Sequence, residues 1–138
     1  MDVHSKEVRS YNMSKVKSKN TKPEETVRKF LFSKGFRYRK NVKKLPGTPD
    51  IVLPKYKTVI FVNGCFWHAH EGCESFSWPS SNVDFWKEKL TANVERDKRN
   101  QELLNEMGWR VLIVWQCELK KKVVEDRLNL LVHQILNN

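Results

Sequence analysis

The sequence predicts an α/β fold built on a mixed sheet flanked by helices. Two short β-rich apolar runs, residues 58–62 and 110–115, read as buried strands, and apolar residues recurring at helical spacing lie between and around them. A chain of 138 residues with 39% apolar content is sized for one domain, spanning residues 1–138, with one modest core.

Residues 1–20 carry Lys6, Arg9, Lys15, Lys17 and Lys19 among few apolar groups, which suits a basic arm that orders on its ligand. Thr21 followed by Glu24 matches a capping box with Pro23 in the first turn, and Val27, Phe30 and Leu31 carry a helix of about three turns to Gly35. Phe36 and Tyr38 alternate with basic residues like a strand. The turn-forming Leu45-Pro46-Gly47-Thr48-Pro49 then leads into a strand at Asp50-Ile51-Val52-Leu53, which Pro54 ends. Gly64 marks the exit from the strand at 58–62, so Asp50 and Asn63 fall at strand ends. From Asn82, Trp86, Leu90, Val94, Leu103, Leu104 and Met107 fit a long helix, continuous or interrupted, that Gly108 closes. Val123, Leu128, Leu131 and Ile135 give a final helix after the last strand.

Lys and Arg total 26 against 16 Asp and Glu, a net charge of +10. A surface that basic calls for a polyanionic partner, nucleic acid first, although a charge run alone equally serves solubility. The apolar runs are too short to span a bilayer and the N-terminus lacks a signal-type apolar stretch, so no membrane association is expected and the protein is read as cytoplasmic. Three cysteines cannot all pair, which leaves metal ligation or burial to account for them.

Cys65, His70 and Cys73 lie within nine residues, and Cys117 follows directly on the strand that ends at Trp115. A Cys₃His set is a closed tetrahedral shell for structural zinc, with no open position for chemistry. Spacing alone does not choose between His68 and His70, and whichever is left free is a candidate for proton transfer. Pro49-Asp50 at the start of a strand is the way many divalent-metal nucleases present a carboxylate at a sheet edge, and it is equally a common turn.

The strings Leu45-Pro-Gly-Thr-Pro-Asp50, Val59-Ile-Phe-Val-Asn-Gly-Cys-Phe-Trp-His68, Asn93-Val-Glu-Arg-Asp97 and Gly108-Trp-Arg-Val-Leu-Ile-Val-Trp115 closely resemble the very-short-patch repair mismatch endonucleases, from Asn12-Met13-Ser14 to about Cys117. The resemblance implies a restriction-endonuclease-like fold, magnesium at the scissile phosphate, and nicking of double-stranded DNA on the 5′ side of the thymine in a T·G mismatch. On matching positions it makes Asp50 the principal magnesium ligand with the backbone carbonyl of Val62, His68 the general base, Asp97 its orienting partner, and Glu24 a residue that places waters of the metal. It assigns Cys65, His70, Cys73 and Cys117 to zinc. It also implies that Phe66, Trp67 and Trp86 form a wedge beside the mismatch, with Met13, Lys15 and Lys17 of the arm contacting DNA from the opposite groove.

Each role has a plainer counterpart in the residues themselves. Glu24 also completes the capping box, Asp97 also suits a solvated helix face, and large rings are ordinarily core. Two departures stand out. The Glu-x-Lys of restriction-type nucleases is replaced by Phe61-Val62-Asn63, and Asn63, where some relatives carry an ionisable residue, can hydrogen-bond but not transfer a proton. A restriction-type or junction-cleaving endonuclease, or a zinc-stabilised DNA-binding module without catalysis, are the alternatives. The composition is compatible with a monomer. A functional link to a cytosine-5 DNA methyltransferase and other repair proteins stays open.

Overall fold

The structure, a computed structural model, describes residues 21–74 and 76–137. The arm at 1–20, with Met13, Lys15 and Lys17, lies outside them. In chain order the elements are helix α1 (Lys22–Ser33), strands β1 (Arg39–Lys40), β2 (Ile51–Leu53) and β3 (Thr58–Asn63), helix α2 (Val83–Glu106), strand β4 (Arg110–Trp115) and helix α3 (Val124–Leu136). The strands form one mixed sheet in the order β1-β2-β3-β4. β2 pairs antiparallel with β1 and β3, whereas β4 lies parallel to β3, and α2 makes the crossover that a parallel pair requires.

The register sorts side chains by face. Ile51 pairs with Ile60, and both enter a core with Leu53 and Val114 that is completed by Val27 and Leu31 of α1 and Leu128, Leu131 and Ile135 of α3. Val52 pairs with Val59 one residue along, so both point to the opposite face and pack with Leu104 of α2. The sheet is thus covered on both sides, and the fold is α/β with a mixed sheet, as the sequence predicts. Among the described residues no helix is long and apolar enough to cross a membrane.

Two helices end alike. At α1, Phe36 N–H donates to Leu31 O and Gly35 N–H to Phe32 O, both at 3.0 Å, with Gly35 at φ 89°. At α2, Trp109 N–H donates to Leu104 O and Gly108 N–H to Asn105 O, again at 3.0 Å. These are Schellman closures, in which the residue after the left-handed glycine folds back on the last turn. This corrects one sequence expectation: Phe36 is buried as the apolar closure of α1, and the strand begins only at Arg39. α2 runs unbroken for 24 residues, consistent with the absence of Gly and Pro from it, but Leu103 and Met107 are exposed.

Candidate active site

An open cleft of about 1160 Å³ lies where β2 begins and β3 ends, and Glu24, Asp50, Val62, Asn63, His68 and Asp97 all line it. Asp50 sits one residue before β2, and its Oδ2 accepts the Val62 N–H at 2.6 Å. Since the N–H and C=O of a strand residue face the same side, the Val62 carbonyl looks out of this same edge. The turn that delivers Asp50 needs its glycine: Gly47 has φ 76°, and a Cβ there would meet Asn100 at 3.0 Å and Phe61 at 3.2 Å.

α1 brings a second carboxyl to Asp50. Thr21 Oγ1 accepts the Glu24 N–H at 3.4 Å, capping the helix, while the Glu24 side chain hydrogen-bonds to Asp50 and receives Arg28 Nη1 on Oε2 at 3.1 Å. The cap and the site therefore use different atoms of the same residue. Burial raises the Asp50 carboxyl to about 7, and the charge of Glu24 and the hydrogen bond to it push in the same direction, against the Val62 N–H. Two carboxyl groups opposing each other in a cleft, beside an outward carbonyl, are a hard oxygen set that suits a divalent cation.

Across the cleft, His68 Nδ1 meets Asp97 Oδ2 at 2.5 Å, with both side chains partly exposed. With Nδ1–H donated to the carboxylate, Nε2 of the neutral ring is the acceptor. Asp97 belongs to a stripe of α2 that faces the cleft through Lys89, Asn93 and Asn100, spaced at three and four residues. One helix face thus starts with Trp86, turns polar over the cleft, and ends with Leu104 in the core. Asn93 Nδ2 donates to Trp67 O at 3.0 Å and fixes the loop that carries His68.

The next histidine serves another place. Ala69 is buried in the left-handed region at φ 46°, and it turns the chain between His68 and His70. One ligand atom each from Cys65, His70, Cys73 and Cys117 lies within 4.8 Å of the others, and Cys117 Sγ is 3.5 Å from His70 Nδ1. Burial raises the Cys65 thiol against the hydrogen bonds it makes with Cys117, and Cys73 pushes the same way as burial; burial and the sulfurs of Cys73 and Cys65 push Cys117 up to about 12. Crowded thiols of this kind are a donor set that a soft cation would convert to thiolates, so the cluster could hold zinc. The Trp115 ring stacks on His70 at 3.8 Å with planes 3° apart.

Phe66, Trp67 and Trp86 meet as a trio, with centroids 5.2 Å apart for Phe66–Trp67, 5.4 Å for Phe66–Trp86 and 5.9 Å for Trp67–Trp86. All three are half-buried, and Trp67 lines the cleft.

The sequence reading gave no role to Arg28, Asn93, Trp115 or Phe76, whose ring lies 6.2 Å from Phe66. Two of them carried a local signal: Arg28 stands four residues after Glu24, and Asn93 four before Asp97. Trp115 and Phe76 had none, since their partners come together only through the fold.

Comparison with known proteins bears on this site. Residues 1–75 match the family described as DNA mismatch endonuclease Vsr. The chain is 54% identical to the type II nicking enzyme V.NmeAIP of Neisseria meningitidis over 97% of this chain and 96% of that protein. It is 53% identical to V.XorIIP, a type II nicking enzyme of Xanthomonas oryzae, over 86% of each. The DNA mismatch endonuclease Vsr of Escherichia coli is 43% identical over 92% of this chain and 82% of its own length.

Proposed function

The chain belongs to the DNA mismatch endonuclease Vsr family and is a DNA endonuclease, and on that premise we propose that it nicks one strand on the 5′ side of the thymine in a T·G mismatch, with magnesium as cofactor, in very-short-patch repair. The observation that carries this reading is the meeting, in one cleft, of the Asp50–Glu24 carboxyl pair with the His68–Asp97 dyad.

Asp50 and the Val62 carbonyl would hold magnesium, with Glu24 placing its waters. When bound, the ion would neutralise charge on the scissile phosphate and lower the pKa of the attacking water. His68 Nε2 takes the proton of that water, worth roughly 10²–10⁴-fold in rate. Asp97 keeps the proton on Nδ1 and stabilises the imidazolium that forms, so the ring is ready as an acceptor before substrate arrives. Asn63 lines the cleft as a hydrogen-bonding group.

Phe66, Trp67 and Trp86 act as the wedge. Unstacking a base step costs a few kcal/mol and costs less where pairing is already imperfect, so mismatch geometry is read as deformability. Lys15 and Lys17 set register on phosphates, with Met13 as an apolar contact, and residues 1–20 are the arm of a single nuclease domain. Zinc in the Cys65–His70–Cys73–Cys117 cluster is structural, tying the loop after β3 to the end of β4.

The test is strand-resolved nicking in Mg²⁺ of a T·G duplex, its T·A counterpart and a four-way junction. The expected product is a single nick 5′ of the mismatched thymine. Equal cutting of the T·A duplex or the junction would overturn the assignment in favour of a restriction-type or junction-cleaving enzyme.

A further inference from the structure

Arg28 stands on α1 one turn after Glu24 and is itself 6% exposed, while Glu24 is 3% exposed. A buried ion pair is a poor device for stability, because the cost of taking both charges out of water offsets much of their attraction. Val27 and Leu31 on the same helix show that apolar side chains fit this layer of the core. The two members of the pair are also placed differently: Glu24 lines the cleft and Arg28 does not. The guanidinium therefore stands behind the carboxylate, on the side away from the reaction space. Its planar fork fixes direction as well as charge, which an ammonium on a flexible stem does not.

We propose that Arg28 is a positioning residue that grips Oε2 of Glu24 and holds that carboxylate against Asp50, in the arrangement a divalent cation needs. This rests on the reading of Asp50 as the principal magnesium ligand and of Glu24 as the residue that places the ion's waters. Outer partners of metal-binding groups characteristically set affinity by roughly 10–100-fold.

The experiment titrates Mg²⁺ into wild type, Glu24→Gln, Arg28→Gln, Arg28→Lys and the Glu24→Gln/Arg28→Gln double variant by calorimetry, and reads the Mg²⁺ midpoint for nicking of a T·G duplex alongside. Arg28→Gln should weaken Mg²⁺ binding roughly 10–100-fold. Arg28→Lys should be intermediate, and duplex binding without divalent cation should be unaltered. Because Arg28 acts through Glu24, the double variant should bind Mg²⁺ no more weakly than Glu24→Gln alone. Wild-type Mg²⁺ binding by Arg28→Gln, or losses that add in the double variant, would overturn the inference. If Arg28→Gln does not fold, Arg28→Lys decides, and a wild-type midpoint there is again fatal. The two readings fail separately: Glu24→Gln binding Mg²⁺ like wild type strikes the role of Glu24 at the magnesium site, whereas a weakened Glu24→Gln with unaltered Arg28 variants strikes only the role of Arg28.

Discussion

Two sites lie on either side of Ala69, and they differ in everything except the histidine each contains. The cleft of His68 is open, its Asp50 and Glu24 carboxyl groups meet through a hydrogen bond, and His68 and Asp97 keep 29% and 28% of their side-chain surface exposed. The cluster of His70 is closed: its four ligand atoms point at one another, and Trp115 covers the imidazole. Surroundings, and not residue type, divide the labour. On the proposed roles, a partly exposed ring with a carboxylate on Nδ1 suits proton transfer, while a ring under an indole and among thiols suits fixed ligation. A left-handed alanine is what lets neighbours in sequence serve both.

That contrast can be broken from either side. The largest effect is expected at the open site, where His68→Ala should slow single-turnover nicking by roughly 10²–10⁴-fold. Melting temperature and zinc content should not move with it, and Asp97→Asn should follow in the same direction. A drop in zinc content with His68→Ala would mean that the two sites are not separate.

At the closed site, Cys117→Ala should cost more than about 4 kcal/mol of stability, the range reached when a metal site is lost. Zinc content, measured by atomic absorption, should fall together with the unfolding midpoint. Unchanged zinc stoichiometry would remove Cys117 from the shell.

Smaller effects should mark the wedge and the arm. Trp86→Ala should weaken binding of the T·G duplex by about 1–3 kcal/mol, the worth of a base–aromatic stack, and leave the T·A duplex nearly unaffected. Equal loss on both duplexes would make Trp86 a packing residue. Lys15→Ala combined with Lys17→Ala should reduce the slope of log affinity against log salt by about 1.8, at about 0.9 for each phosphate contact. The change should be alike on matched and mismatched DNA.

How far these features are legible in the sequence depends on how local they are. The cores of α1 and α3 follow from Val27 and Leu31 and from Leu128, Leu131 and Ile135, because helical spacing records burial residue by residue. β3 and β4 read as apolar runs, but of β4 only Val114 is buried, where the sequence predicts a buried strand, because β4 pairs on one side only, with β3. β1 does not read as an apolar run: Arg39 and Lys40 are both exposed, and only their pairing with Ile51 and Val52 makes them a strand. Phe36 misled because a Schellman closure and a strand both want an apolar residue just past a glycine.

At the site, the position of Asp50 at a strand end was readable, but its meeting with Glu24 was not, since a capping box with Thr21 is a sufficient local explanation of Glu24; the structure shows the Thr21 half of that box, while the Glu24 carboxylate turns to Arg28 and Asp50. Arg28 carried a signal in its spacing from Glu24, but not its burial. A basic residue on a helix reads as solvated until the fold closes over it.

The most direct test of this division uses one preparation of Asp50→Ala and two readings from it: single-turnover nicking of a T·G duplex in Mg²⁺, and bound zinc. Nicking should disappear while zinc and melting temperature stay at the wild-type level. Retained nicking would remove Asp50 from the chemistry, and lost zinc would show that cleft and cluster are one structural unit and not two sites with separate duties.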